Sequence, residues 1–307
     1  MRGATVLAGV ALVLAALAVL AAVRRRNERA ALRVLPRLAL LNPVIPTSKY
    51  SLGVAMMLRE LFDIIGCRVM LQEFDVAAAP FDTARIDEFD GFVVPGSAAS
   101  AYDKSTHPWT QSLEATIRTL HTQRRPMLGI CYGHQIIAQA LGGRVEKNPA
   151  GLQTARCSFD MTSLGASLGL GEAGRGLASL QYHHNDIVTQ LPTCAANLGR
   201  SATCPTHAAA VFASPTVSRM AVSRGSVSAQ AQPHVITLQG HPEFSTPSGA
   251  ALLLSLVRRE DSAVRGAAWL EEREVAARDV DGHTAAHAHT AIRAAMRLLW
   301  PAAFATP

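Results

Sequence analysis

The chain has 307 residues, of which 49% are apolar and only 17% are charged. This composition excludes an intrinsically disordered tail protein, because the apolar fraction is large enough to build a core. Residues 1–37 contain seven arginines and one glutamate and so carry the whole net charge of +6, which leaves no basic cluster for nucleic acid in the remainder. The five cysteines are irregularly spaced and include no C-x-x-C pair, so we expect neither a disulfide framework nor a metal site.

An uncharged run of 20 apolar or small residues lies near the start of the chain, from Ala4 to Val23. As a helix it would span about 30 Å, the thickness of a bilayer core. Three arginines follow it, and the positive-inside tendency predicts a membrane anchor whose following domain stays in the cytoplasm. The alternatives are a misassigned start codon, an alanine-rich organellar presequence or a cleaved signal. If the segment is not retained, we expect a cytoplasmic protein.

Apolar runs and helical periodicities alternate along the rest of the chain. Short apolar runs predict strands at 37–42, 67–74, 89–94, 126–130 and 234–239, and helical spacing predicts helices at 50–65, 109–121 and 132–141. This alternation predicts an α/β fold, a doubly wound and mostly parallel flavodoxin-like sheet with helices on both faces. We expect three regions: a hydrophobic helix with a basic flank at 1–36, a main domain at 37–260, and a C-terminal helical extension packed on it at 261–307.

A G-x-C-x-G turn, centred on Cys131, connects a predicted strand to a predicted helix. This is the nucleophile-elbow pattern with sulfur in place of the serine oxygen, and its glycines, Gly129 and Gly133, leave room for a sharp, strained turn. The turn places Cys131 at a helix N-terminus, whose partial positive charge favours thiolate over thiol.

A second motif, Q-G-H-P-E at 239–243, directly follows the last predicted strand. A thiol nucleophile needs a base that takes up its proton and returns it to the leaving amine, and that base needs an orienting carboxylate. His241 and Glu243 supply both groups two positions apart.

Together these motifs resemble the class I glutamine amidotransferases. G-I-C-Y-G-H-Q, followed by L-G-G, is similar to the nucleophile motif of the glutaminase domain of GMP synthetase and of stand-alone relatives such as plant gamma-glutamyl peptidases. Q-G-H-P-E-F is similar to the family's His/Glu motif. Between them, H-N-D at 184–186 resembles the family's H-x-D element, and R-S-A-T-C-P at 200–205 resembles its S-x-x-C-P turn. The motifs stand in the family's order, from about residue 37 to 260.

The resemblance implies a role for each matching residue. Cys131 would be the nucleophile, His241 the general base and then acid, and Glu243 the carboxylate that orients it. The oxyanion would be bound by two backbone amides, those of Tyr132 and Gly96. The substrate would be contacted by three side chains: Gln135, His184 and Asp186.

The function implied by the resemblance is that of a cysteine-dependent hydrolase. It would cleave the gamma-amide of glutamine or a gamma-glutamyl peptide bond through a thioester, with no cofactor and no metal. No Gly-rich phosphate loop follows the matching region, so the enzyme either works alone or serves a separate synthetase subunit. Two alternatives stay open: a secreted gamma-glutamyl hydrolase, and a catalytically inactive, membrane-tethered scaffold of the same family.

Overall fold

The structure, a computed structural model, describes residues 35–228, 231–261, 267–278 and 282–304. The strands are β1 (Arg37–Asn42), β2 (Met70–Asp75), β3 (Gly91–Val94), β4 (Met127–Ile130), β5 (Arg144–Lys147), β6 (Gln153–Met161), β7 (Gly174–His184), β8 (Asp186–Gln190), β9 (Ala195–Arg200), β10 (Ala208–Val211) and β11 (Val235–Leu238). The helices are α1 (Lys49–Ile64), α2 (Trp109–Thr122), α3 (Tyr132–Ala140), α4 (Ser163–Ser167), α5 (Pro215–Arg224), α6 (Pro247–Asp261), α7 (Ala267–Arg278) and α8 (His283–Leu299). Short 3₁₀ helices lie at Thr83–Glu88, Pro242–Ser245 and Pro301–Phe304.

Within the described ranges, the main sheet has nine strands in the order β2-β1-β3-β4-β11-β10-β9-β6-β7. The first five strands pair in parallel. From β11 onward the neighbours pair antiparallel. The fold class is confirmed as α/β, but the prediction of a mostly parallel sheet is wrong, because the sheet is mixed. A separate antiparallel pair is formed by β5 and β8.

The strands of the antiparallel half were not predicted from the sequence pattern, and the reason is physical. Its strand β10 reads Ala-Ala-Ala-Val, and β7 begins Gly-Arg-Gly-Leu-Ala-Ser, so both are poor in the β-branched and aromatic residues that mark a strand. The four residues of β10 are nevertheless buried. Tertiary pairing between β9 and β11 therefore decides the conformation of this segment, rather than local propensity.

Both faces of the parallel half are covered. Along β1, Leu38 and Leu40 belong to one apolar cluster, while Ala39 and Leu41 belong to another. Because successive strand residues point to opposite faces, this division shows a core on each side of the sheet. The continuous apolar sequence of β1 follows from this double burial.

The C-terminal residues contact the parallel edge of the sheet. The Trp300 indole N–H donates to the Asp90 carbonyl at 3.2 Å, and the Arg68 amide donates to the Ala303 carbonyl at 2.9 Å. A side chain at Gly91 would overlap the Trp300 ring, so this glycine permits the contact. The division of the chain at residues 36 and 260 stays a prediction.

The predicted anchor, residues 4–23, lies outside the described residues. Among the residues that are described, no helix is both long and apolar enough to cross a membrane.

Candidate active site

Three neighbouring parallel strands bring the predicted residues to one edge of the sheet. The strands β3, β4 and β11 lie side by side, and Gly96, Cys131 and His241 each follow the end of one of them. The carboxyl ends of parallel strands meet at the same edge, where open α/β sheets place their ligand sites. Residues that are up to 145 positions apart in sequence are thereby neighbours.

Cys131 stands on a strained turn between β4 and α3. Its φ of 51° and ψ of −102° lie in a region that non-glycine residues rarely adopt. A Cβ on Gly133 would lie 1.9 Å from the Val94 carbonyl oxygen, and one on Gly129 would lie 2.8 Å from the Gly133 carbonyl oxygen. The two glycines are therefore required for this turn, as the motif predicts.

Backbone hydrogen bonds tie the turn to both neighbouring strands. The Cys131 amide donates to the Leu238 carbonyl at 2.8 Å, and the Gly133 amide donates to the Pro95 carbonyl at 3.0 Å. The first bond fixes Cys131 to the end of β11, and the second fixes the elbow to the loop after β3. The position of the sulfur is thus set by the sheet itself.

His241 and Glu243 form a buried pair. The His241 Nδ1 atom lies 2.6 Å from Glu243 Oε1, and their side chains are 4% and 0% exposed. The His241 amide donates to the Gln181 carbonyl of β7 at 2.8 Å, and the Phe244 ring stacks on the imidazole with centroids 4.3 Å apart. The Nδ1 bond and the stacked Phe244 ring orient the imidazole, and its buried Nε2 atom has no hydrogen-bond partner among the described residues.

The electrostatics of this pair favour a charged imidazole. Burial opposes the charge, but the negative charges of Cys131 and Glu243 and the hydrogen bond to Glu243 raise the pKa of His241 to about 10. Cys131 and His241 line the same cavity, and Glu243 is hydrogen-bonded to His241. A thiol, an imidazole and a carboxylate in this order can transfer a proton and generate a nucleophile.

Two glutamine side chains form a hydrogen-bonded network that also reaches the Cys131 sulfur. Gln239 Nε2 donates to Cys131 Sγ at 3.8 Å, and Gln239 Oε1 accepts from Gln135 Nε2 at 3.2 Å. Gln135 Nε2 also donates to the Asp186 carbonyl at 2.8 Å. The amide donor of Gln135 is thus engaged within the protein, and its contact with substrate stays a prediction.

His184 and Asp186 are next to each other at the end of β7 and the start of β8. The His184 Nδ1–H donates to the Asp186 carbonyl at 2.8 Å, and burial lowers the pKa of His184 to about 3. The Asp186 carboxylate accepts from the Tyr102 hydroxyl at 3.1 Å. The neutral His184 imidazole and the Asp186 carboxylate therefore form a polar surface.

The predicted residues share a cavity of about 280 Å³. Five of the predicted side chains line it: Cys131, Gln135, His184, Asp186 and His241. Glu243 lies behind His241 and is not part of the wall. The wall also carries two basic residues, Lys49 and Arg259, which sequence reasoning had not singled out.

The two predicted oxyanion amides differ in their surroundings. Tyr132 is the first residue of α3, and the first N–H groups of a helix have no partner inside it. The Gly96 amide instead donates to the Tyr50 hydroxyl at 3.0 Å. To bind an oxyanion, the Gly96 amide would have to break its hydrogen bond to Tyr50, which costs free energy. Its role in binding the oxyanion therefore stays a prediction.

Among the described residues, no group of three or more His, Cys, Asp and Glu side chains is arranged to hold a metal ion.

Comparison with known sequences identifies the family. The sequence model for "Glutamine amidotransferase class-I" matches residues 52–257. The chain belongs to this family. Gamma-glutamyl peptidase 3 of Arabidopsis thaliana is 27% identical over 168 residues, covering 53% of this chain and 58% of the peptidase. The glutamine-hydrolyzing GMP synthase of Chromobacterium violaceum is 37% identical over 84 residues, covering 26% of this chain and 16% of the synthase.

Solved structures support the fold of this class I amidotransferase chain. A glutamine amidotransferase from Thermotoga maritima superposes with a TM-score of 0.65 at 15% identity, covering 87% of this chain and 100% of that one. This likeness shows a shared fold. The alignments with the first three curated relatives span only 55%, 58% and 63% of those proteins' lengths. The resemblance stated from the motifs is thus confirmed at the level of the family.

Two further side chains form hydrogen bonds to the candidate catalytic residues and were not predicted from the sequence. Tyr50, at the start of α1, donates to Glu243 Oε1 at 2.8 Å, and Gln239 donates to Cys131. Gln239 belongs to the Q-G-H-P-E motif, so its position two residues before His241 could have drawn attention to it. Tyr50 has no motif around it, and only the fold brings it to the site.

Proposed function

We propose that this chain is a cysteine-dependent hydrolase that cleaves the gamma-amide of glutamine or a gamma-glutamyl peptide bond. One observation carries the proposal. Cys131 lies on a strained strand-to-helix turn and shares a cavity with His241, whose Nδ1 is bound to Glu243. Family membership and the gamma-glutamyl peptidase relatives support the same chemistry.

In the first half-reaction the Cys131 thiolate attacks the gamma-carbonyl carbon. The π electrons of the carbonyl move to its oxygen, and the backbone amide of Tyr132 donates to this oxyanion, joined by that of Gly96 once it releases Tyr50. His241, protonated at Nε2, gives its proton to the departing nitrogen. The carbon–nitrogen bond then breaks, which leaves a glutamyl thioester and free ammonia or amine.

In the second half-reaction His241 acts as a base. Its Nε2 takes a proton from water, and the resulting hydroxide attacks the thioester carbon. The carbon–sulfur bond breaks, glutamate leaves, and Cys131 returns as a thiolate. Glu243 holds the imidazole through Nδ1 in both steps, so Nε2 is always the atom that exchanges protons.

The cavity wall supplies groups suited to the glutamyl part of the substrate. The Asp186 carboxylate can pair with an α-ammonium group, and Nε2 of the neutral His184 ring and the Gln135 side-chain oxygen can each accept a hydrogen bond. The released ammonia would either leave to solvent or pass to a separate synthetase subunit. The stand-alone gamma-glutamyl peptidase relatives favour the first outcome.

The test is turnover by the full chain with glutamine and with gamma-glutamyl dipeptides, measured as glutamate released. We expect activity that Cys131→Ala abolishes and that Cys157→Ala retains, since Cys157 is partly exposed on β6 and does not line the cavity. Turnover that is unaffected by Cys131→Ala would refute the proposal. Absence of turnover of either substrate class by the wild-type chain would favour an inactive scaffold instead.

A further inference from the structure

Tyr50 connects the proposed triad of Cys131, His241 and Glu243 to the loop after β3. Its hydroxyl donates to Glu243 Oε1 at 2.8 Å and accepts from the Gly96 amide at 3.0 Å. Its buried ring meets the His241 ring edge-on with centroids 5.4 Å apart. Both hydrogen-bonding capacities of the hydroxyl are used, one on the carboxylate and one on the loop.

The Glu243 carboxylate receives one of its two hydrogen bonds from this hydroxyl. Its Oε1 atom accepts from His241 Nδ1 and from Tyr50, whereas its buried Oε2 atom has no hydrogen-bond partner among the described residues. A buried carboxylate stays charged only when donors replace the lost water. Without Tyr50, the carboxylate would keep a single donor and could turn away from the imidazole.

The packing around the hydroxyl leaves little freedom. A Cβ on Gly96 would lie 2.9 Å from both His241 Cε1 and the Tyr50 oxygen, so the loop, the imidazole and the phenol are in close mutual contact. Burial and the neighbouring Glu243 raise the pKa of Tyr50 well above its ordinary value. The Tyr50 hydroxyl therefore stays protonated and can donate a hydrogen bond to Glu243.

We propose that Tyr50 is a positioning residue, whose hydroxyl keeps the Glu243 carboxylate directed at His241. The inference rests on the proposed function, because it assigns a role within the same reaction. It acts through Glu243 and not through contact with the substrate.

Tyr50→Phe tests this inference, because it removes the hydroxyl and keeps the ring that packs on His241 and Phe244. We expect kcat to fall roughly tenfold, with KM little changed, as for loss of one hydrogen bond to a buried charge.

A double-mutant cycle separates positioning from a general effect on the fold. If Tyr50 acts through Glu243, then Tyr50→Phe should cost little further activity once Glu243→Gln is present. Tyr182→Phe is the matched control, because it also loses a buried hydroxyl bond, to His207 at 2.6 Å, without touching Glu243. Its effect should add to that of Glu243→Gln.

The outcomes distinguish the inference from the function on which it rests. Full additivity of Tyr50→Phe with Glu243→Gln would overturn the positioning role while Cys131-dependent turnover persists. Turnover that does not require Cys131 would instead remove the proposed function. Thermal unfolding of each variant confirms that activities are compared on folded protein.

Discussion

The side-chain amide of Gln239 points its nitrogen at the sulfur of Cys131, 3.8 Å away, while its oxygen accepts from Gln135. The bond to Gln135 fixes which end of the amide faces the sulfur. A donor directed at a thiolate stabilises its charge, whereas a negative oxygen in the same place would oppose it. Gln239 is therefore expected to support the nucleophile, although it lies outside the proposed triad.

Gln239→Glu keeps the shape and the acceptor for Gln135 but replaces the donor by a charged oxygen. We expect kcat/KM to fall by roughly tenfold or more, and alkylation of Cys131 by iodoacetamide to slow, because thiolate formation beside a carboxylate costs free energy. Initial rates and mass spectrometry of the labelled protein measure both effects. Gln232→Glu makes the same charge change on an exposed loop and serves as control. An unchanged alkylation rate in Gln239→Glu would contradict the expected role.

The elbow requires glycine at position 133. In Gly133→Ala the new methyl would lie 1.9 Å from the backbone oxygen of Val94, which cannot move without disrupting β3. We expect unfolding free energy to drop by about 3 kcal/mol or more. Gly53→Ala is the control, because nothing lies within 4 Å of its Cβ inside α1, and it should gain about 0.5–1 kcal/mol. Urea unfolding measures both, and equal stabilities would show that the turn has another conformation.

The elbow and the His/Glu pair could be predicted from sequence because their geometry is local. Gly129 and Gly133 flank Cys131 within five residues, and Glu243 is two positions from His241. Tyr50 could not be predicted, because it is 193 residues from the carboxylate that it contacts, and only strand order brings them together. The antiparallel half of the sheet was missed for a related reason, since the alanines of β10 become a strand only through their neighbours.

Buried neutral histidines should make the fold sensitive to acid. Burial lowers the pKa values of four histidines to about 3 or 4: His134, His184, His207 and His234. Below about pH 6.5 these histidines bind protons in the unfolded chain but stay neutral in the folded chain. The free energy of unfolding therefore falls as the pH falls from 6.5 toward 4. Each such group contributes up to about 1.4 kcal/mol per pH unit in that window.

His207→Gln checks this dependence, because an amide can still bond to the Tyr182 hydroxyl but does not titrate. Urea unfolding at pH 7 and pH 5 should show a smaller loss of stability in His207→Gln than in the wild-type chain. His283→Gln, at an exposed position at the start of α8, is the matched control. An identical loss in all three proteins would exclude His207 as a source of the acid sensitivity.

Membrane attachment through residues 4–23 is a prediction from sequence alone. Full-length protein should stay in the membrane fraction after a carbonate wash, since 20 apolar or small residues can span a bilayer core. Leu14→Arg places a charge at the middle of the run, at a cost of about 2.5–3.5 kcal/mol, and should reduce retention. Leu52→Arg, at an exposed position on α1, adds the same charge elsewhere. Release of the wild-type protein by carbonate would contradict the anchor.

The basic residues of the cavity wall predict which leaving groups are preferred. Lys49 is exposed at the start of α1, and it lines the cavity together with Arg259 of α6. The acidic residue on the same wall, Asp186, already accepts from Tyr102. The exposed Lys49 therefore presents a positive charge at the wall of the cavity. A leaving amine that bears a carboxylate, as in a gamma-glutamyl amino acid, should be attracted to it.

Two substrates that differ only in this charge test the preference. We expect a lower KM for gamma-glutamyl-glycine than for gamma-glutamyl-glycinamide, and Lys49→Ala should raise KM for the first about threefold to tenfold while sparing the second. Arg219→Ala removes an exposed cation on α5 that does not line the cavity, and it should leave both values unchanged. Added salt should weaken the preference, because exposed charges are screened. Equal changes in KM for both substrates in Lys49→Ala would mean that Lys49 shapes the cavity and does not recognise the charge of the leaving group.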